Sequence, residues 1–80
     1  MLDQTVDDKV VELRRMAAEY FQKAAWYQIL SLDNYRERNF EAAESFAQLS
    51  FEHQQQANDY ADLADAESDF LLEQELEEDF

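Results

Sequence analysis

The sequence predicts an all-α protein, a long antiparallel hairpin of two helices, and three observations lead to this. The 80 residues contain no Gly and no Pro, so the residues that usually form tight turns are missing. Apolar and small residues recur at alternating steps of three and four, which is a helical heptad pattern. The length allows one small domain. We expect a hairpin over residues 1–72 and an acidic, frayed tail over residues 73–80.

The first predicted helix extends from about Val6 to about Arg36. Thr5 is the expected N-cap, and Asp8 follows three residues later, where the acid of a capping box would lie. Arg36 falls near the negative end of the helix dipole, where a cation is favourable. The seam expected to face the second helix comprises Val6, Val10, Leu13, Ala17, Tyr20, Ala24, Tyr27 and Ser31.

The second predicted helix covers residues 40–72, with Asn39 as its N-cap. It carries two adjacent seams. The small seam contains Ala43, Ala47, Ser50, Gln54, Ala57, Ala61, Ala64, Ser68 and Leu71. The bulky seam contains Phe46, Leu49, His53, Gln56, Tyr60 and Leu63. The similar lengths of the two helices favour an antiparallel pair. A break near residues 65–68, which would produce a short third helix, is the main alternative.

The charge of the chain is divided unevenly between its halves. The net charge is −14, and all six Lys and Arg residues precede Phe40. The two halves therefore carry net charges of about −1 and −13. A helical wheel gathers acids of the second helix into one stripe away from the apolar face. The stripe comprises Glu41, Glu44, Glu52, Asp59, Asp62, Asp69, Glu73 and Glu77, and the first seven are the expected partner-binding residues.

Three interpretations of this stripe remain open. It can imitate the phosphate rows of a nucleic acid and occupy a basic groove of a protein that holds one. It can also be an ordinary solvated face or a generic acidic protein-binding helix. Adaptation to high salt is the third, although such adaptation should spread acids along the whole chain. In every case, the charge should repel nucleic acids and membrane surfaces.

The first helix has more apolar surface than one partner helix can cover. A second apolar stripe contains Val11, Ala18, Ala25, Trp26, Ile29 and Leu32. A hairpin of this size has little core of its own, so pairing of two copies into a four-helix dimer is the simplest use of the stripe. Alternatively, Trp26, Tyr27 and Ile29 anchor a different protein, because exposed Trp and Tyr are common in binding hot spots.

The residues that carry chemistry in enzymes are scarce in this chain. There is no Cys, and His53 is the one histidine. The residue three before His53 is Ser50, so the Glu-x-x-His motif of di-iron helix pairs is not formed. Calcium loops need a Gly that is missing. We expect no catalytic residue, no metal site and no cofactor. No apolar run could span a bilayer and the N-terminus is unlike a signal peptide, so we expect a soluble, cytoplasmic protein.

Two resemblances add to this interpretation. One local resemblance is to the helix–turn–helix of a single tetratricopeptide repeat, and it is carried by Tyr27-Gln-Ile-Leu30-Ser31 and Asn39-Phe40-Glu41-Ala42-Ala43. The chain departs from that pattern at Asn34, where the repeat has a second aromatic residue, and it lacks the closing Pro. The two segments cover about a quarter of the chain and do not recur, so no solenoid is implied.

In size, charge and lack of catalytic residues, the chain is similar to small acidic phage-encoded inhibitors of the anti-CRISPR and anti-restriction type. That similarity implies binding to the basic channel of a nucleic-acid-binding effector in the host cytoplasm, with no direct binding of nucleic acid. The alternative is a helical adaptor or scaffold that binds a partner through the apolar face around Trp26.

Overall fold

The computed structural model describes residues 4–78, with the side chains of residues 8–74, and confirms the helical hairpin. Helix α1 is Gln4–Arg36 and helix α2 is Phe40–Glu78, with 33 and 39 residues. The described residues contain no strand. The two helices lie against each other in a rod measuring 63 × 15 × 13 Å.

Small residues form the contact between the helices, as the heptad pattern predicts. On α1, Ala17, Ala24 and Ser31 are buried at intervals of seven. On α2, the buried residues follow the same interval and are Ala43, Ser50, Ala57 and Ala64. Side chains of this size let two helix backbones approach closely. Among the described residues, no large side chain is fully buried, so the core consists of Ala and Ser.

Two serine hydrogen bonds fix the register of the helices. Ser31 Oγ donates to the Ala43 carbonyl oxygen at 2.8 Å, and Ser50 Oγ donates to the Ala24 carbonyl oxygen at 2.7 Å. Along the chain, the partners move by seven residues in opposite directions, so the helices are antiparallel. The same register places Ala17 opposite Ala57. Each hydroxyl is satisfied across the interface, which makes serine acceptable in a core.

Aromatic rings close one flank of the interface, which we call the aromatic flank. Tyr20 and Tyr27 of α1 alternate with Phe46, His53 and Tyr60 of α2, with ring centroids 5.1 to 6.1 Å apart. Each of these residues follows a buried Ala or Ser by three positions, so all five lean to the same side. The opposite flank, which we call the open flank, carries the residues four positions after the buried ones, and three of them, Phe21, Gln28 and Gln54, line a groove between the helices.

The turn closes without glycine. Arg38 adopts a left-handed conformation with φ 64°, the position that Gly usually fills after a helix. The Asn39 N–H donates to Asn34 O at 2.8 Å and the Arg38 N–H donates to Tyr35 O at 3.0 Å, which together form a Schellman motif. The Asn39 carbonyl accepts from the Ala43 N–H at 2.9 Å, which places Asn39 at the expected N-cap position of α2, while its side-chain amide donates to Glu37 Oε2 at 3.5 Å.

The helix ends differ from the sequence-based expectation in two places. Helix α1 begins at Gln4, so Thr5 lies inside the helix rather than at its cap, and its side chain is outside the described residues. Helix α2 continues unbroken through residues 65–68 and past Leu72 to Glu78. Leu, Glu and Gln are good helix formers, and acids at an exposed helix end disfavour it by only about 0.3–1 kcal/mol each. The last two residues of the expected frayed tail lie outside the described residues.

Candidate functional site: an acidic ridge on α2

The predicted acidic stripe lies on α2, largely on the side turned away from α1. Its seven members from Glu41 to Glu73 are exposed, and the side chain of Glu77 is outside the described residues. Because α2 is one continuous helix, the stripe extends over about 48 Å from Glu41 to Glu73 at 1.5 Å per residue. We call this surface the acidic ridge. Its members are Glu41, Glu44, Glu52, Asp59, Asp62, Asp69 and Glu73.

Ion pairs in the described part of the chain involve acids outside the ridge. Two of them join the helices: Lys9 Nζ lies 2.9 Å from Glu67, and an Arg14 nitrogen lies 2.7 Å from Asp65. Arg15 pairs along α1 with Glu12 and Glu19. None of these four pairs includes a ridge carboxylate. The cations therefore offset acids of α1 and the two acids of α2 that face it, and they leave the charge of the ridge in place.

The Arg15 cluster shows how the first half of the chain offsets its own charge. Hydrogen bonding to Arg15 holds the pKa of Glu12 below its ordinary value, and the same pair raises the pKa of Arg15. All three side chains are exposed on the outer surface of α1. One guanidinium thus lies between two carboxylates, an arrangement that the ridge on α2 does not share.

Two ridge acids accept hydrogen bonds from neutral groups. Tyr35 Oη donates to Glu44 Oε1 at 2.7 Å, which holds Glu44 at the edge of the ridge and raises the pKa of the Tyr35 phenol. Gln48 Nε2 donates to Glu52 Oε1 at 3.3 Å. Neutral donors orient a carboxylate without removing its charge, so the ridge remains anionic.

The predicted apolar face is exposed, with one exception. Val11, Trp26 and Ile29 are 66%, 56% and 55% exposed, and Ala18, two turns after Val11 on α1, is exposed as well. Tyr27 is different, because it is half-buried between the helices, with its ring centroid 6.1 Å from that of Phe46 and 5.1 Å from that of His53. We therefore assign Tyr27 to the interhelical contact rather than to the exposed face.

The open flank is a feature that the sequence analysis missed. A groove of about 350 Å³ lies between the helices there, lined by Phe21, Ala24, Ala25, Gln28, Ser50 and Gln54. Phe51 follows the lining residue Ser50 along α2 and is 53% exposed. The signal was present in the sequence, since the positions four after each buried small residue are uncharged along the middle of both helices.

No cluster of three or more His, Asp or Glu side chains that could hold a metal ion occurs among the described residues. His53 lies in the aromatic flank, and its Nδ1 is 2.8 Å from the Leu49 carbonyl oxygen, so that nitrogen donates a hydrogen bond. In the described part of the chain, neither helix has the length and apolar character needed to cross a bilayer.

Comparison with known proteins yields no relative for this chain. No protein family, curated protein or solved structure matches it.

Proposed function

We propose that this protein is a non-enzymatic inhibitor that binds the basic nucleic-acid-binding surface of another protein and excludes the nucleic acid. The observation that carries the proposal is the unpaired state of the acidic ridge. Four ion pairs offset other acids, yet the ridge extends about 48 Å without a cation among the described side chains. Like charges so close together on a helix reduce its stability, so folding alone gives no reason for this arrangement.

The charge density of the ridge sets the strength expected of such binding. Its seven carboxylates are spaced on average about 8 Å apart, whereas each strand of a DNA duplex carries one phosphate per about 3.4 Å. The ridge therefore imitates somewhat less than half the charge density of one strand. Exposed ion pairs contribute up to about 1 kcal/mol each, so seven of them supply at most about 7 kcal/mol before the cost of association, which is less than the roughly 8 kcal/mol of micromolar binding. Tighter binding requires apolar contacts as well.

The proposed target is a nucleic-acid-binding effector such as a CRISPR or restriction complex. Support for this choice comes from the small size, the net charge of −14 and the long acidic ridge of the protein. An inhibitor of this kind would be phage-encoded and would act in the host cytoplasm, where these effectors meet their targets. The same charge opposes direct binding to nucleic acid. We also propose that the protein acts as a dimer in which each copy presents one ridge.

A competition assay tests the proposal. Labelled duplex DNA bound to each member of a panel of CRISPR and restriction effectors is titrated with the protein, and displacement is followed by fluorescence anisotropy. We expect displacement at low salt that weakens steeply as NaCl increases. The combined variant Glu52→Gln, Asp59→Asn and Asp62→Asn should lose at least tenfold in potency.

A matched control neutralises three exposed acids elsewhere. The combined variant Asp8→Asn, Asp33→Asn and Glu37→Gln removes the same number of charges from α1 and the turn, and it should retain most of its potency. Circular dichroism establishes that both variants are helical. Equal potency of the two variants would refute a role for the ridge and reduce the effect to net charge.

A helical adaptor is the second candidate function, and the exposure of Trp26 and Ile29 on the outer surface of α1 favours it. In that case the acids would only keep the protein soluble. Binding through Trp26 would be apolar and would change little with salt. Trp26→Ala would then abolish binding, while the triple ridge variant would bind normally.

A further inference from the structure

The open flank contains an uncharged surface in the middle of a strongly charged rod. The Arg14–Asp65 ion pair closes one end of this surface, and the Tyr35–Glu44 hydrogen bond closes the other. Between them, both helices present only apolar, small or amide side chains to this flank. We call this surface the neutral face and define it by Phe21, Ala25, Gln28, Leu32, Phe51 and Gln54.

The hairpin exposes more surface than a folded chain of its mass usually does. A 9.5 kDa protein is expected to expose about 5,000 Å², and this one exposes 6161 Å². The excess of about 1,100 Å² exceeds the roughly 800 Å² that each partner buries in a standard protein interface. Phe21, Leu32 and Phe51 of the neutral face are 42%, 50% and 53% exposed, although side chains of this kind normally form the core. One further interface of ordinary size would cover the excess.

Charge determines which surface a second copy can contact. Each copy carries a net charge of −14, so an interface that included the ridge would bring like charges together. The outer surface of α1 carries the Glu12–Arg15–Glu19 cluster, and the aromatic flank is already filled by rings, with Lys23 Nζ 5.1 Å from the Tyr20 ring centroid. The neutral face combines exposed apolar side chains, a groove and a lack of charge.

We infer that two copies of this protein pair through their neutral faces into a four-helix bundle, with α1 of each copy lying on α2 of the other. In this arrangement all neighbouring helices are antiparallel, and the two acidic ridges lie on opposite sides of the bundle. Stacking α2 on α2 would instead place the ridges side by side. The groove of about 350 Å³, with the small residues Ala24, Ala25 and Ser50 in its lining, is large enough to receive the partner's Phe51.

The two glutamines at the groove give the interface its specificity. Gln28 and Gln54 line the groove, and their amides can hydrogen-bond across the interface to the second copy. Buried amides that fail to find partners are costly, so they disfavour shifted registers of the bundle. This inference deepens the proposed dimer by naming its interface, and it does not depend on the inhibitor function, because the assembly forms without a target.

Sedimentation equilibrium of the full chain tests the inference at 150 mM NaCl and 1–100 µM protein. We expect a dimer of about 19 kDa, twice the 9.5 kDa of one chain. Phe51→Glu and Phe21→Glu should each weaken the dimer at least tenfold. Trp26→Glu and Leu63→Glu serve as matched controls, since these residues are 56% and 53% exposed but lie off the neutral face, and they should leave the dimer unchanged.

A measurement on the unaltered protein keeps the test independent of variant folding. The melting temperature of a dimer rises with protein concentration, whereas that of a monomer does not change. A monomer at 100 µM with a concentration-independent melting temperature would overturn the inference. Disruption by Trp26→Glu with no effect of Phe51→Glu would move the interface to the outer surface of α1 and would equally overturn it.

Discussion

Replacing Ala57 by Leu tests whether close approach of the two helices is the main source of stability. Ala57 is fully buried at the contact, and the register places it opposite Ala17, which is 5% exposed. A leucine side chain is three carbons larger and has no cavity to enter, so the helices must separate locally. Overpacking of a closely packed core typically destabilises by 1–3 kcal/mol, and we expect about 3 kcal/mol because this chain has a single interhelical contact.

The assay is thermal and urea unfolding followed by circular dichroism at 222 nm. A loss of 3 kcal/mol lowers the melting temperature of a domain of this size by about 12–24 °C. Ala66→Leu is the matched control, because Ala66 is exposed on the same helix, and it should change stability by less than about 0.5 kcal/mol. If the two variants melt within 2 °C of each other, the reasoning about close approach is wrong.

Three further predictions follow from individual contacts. Arg38→Gly should stabilise the hairpin by about 0.5–1 kcal/mol by relieving the left-handed strain, whereas Arg38→Ala should not, and equal melting temperatures would refute this account. Ser31→Ala and Ser50→Ala should each destabilise the hairpin by up to about 1 kcal/mol. Because the two hydrogen bonds lie about 10 Å apart, their effects should add in the double variant. A clearly non-additive effect in urea unfolding would show that the two bonds are not independent. The hydrogen bond from Tyr35 to Glu44 raises the pKa of the Tyr35 phenol, so this bond stabilises the hairpin below the ordinary tyrosine pKa and is lost as the pH rises through the raised pKa. In a titration of tyrosine ionisation followed by absorbance, Glu44→Gln should remove the tyrosine that ionises at the highest pH. An unchanged titration would disprove the link.

The interhelical contact could be predicted from sequence because its signal is periodic. The heptad of Ala17, Ala24 and Ser31 predicts a closely packed helix pair, and the buried positions of α2 follow the same interval. The antiparallel direction was expected from the similar lengths of the two helices. Neither the two serine bonds nor the division into an aromatic and an open flank could be predicted in the same way. These features depend on the side of the seam toward which each side chain points. That direction can be assigned only when the register between the two helices is known.

The helix ends and the role of Tyr27 were less predictable. The sequence contains no strong stop signal near Leu72, and repulsion between the clustered acids and the negative end of the helix dipole predicts an end there. Helix propensity outweighs this repulsion, since α2 continues to Glu78. Tyr27 belongs to the heptad seam and also adjoins Trp26. The helical wheel alone therefore allows Tyr27 to be either an interhelical contact residue or part of the exposed apolar face. The structure places its ring between Phe46 and His53, which makes it a contact residue of the hairpin.

The composition of the core connects the fold to both proposals. Filling the interface with Ala and Ser brings the helices close enough for serine to bond across it, but it leaves large side chains such as Phe21 and Phe51 outside. Buried Ala contributes little apolar area, so a hairpin built this way has little stability to offset the repulsion within its own ridge. A second copy on the neutral face would supply that stability and would border the ridge only at Glu44, which closes one end of that face. The dimer would therefore permit a long, unpaired row of carboxylates that the isolated hairpin could hardly support.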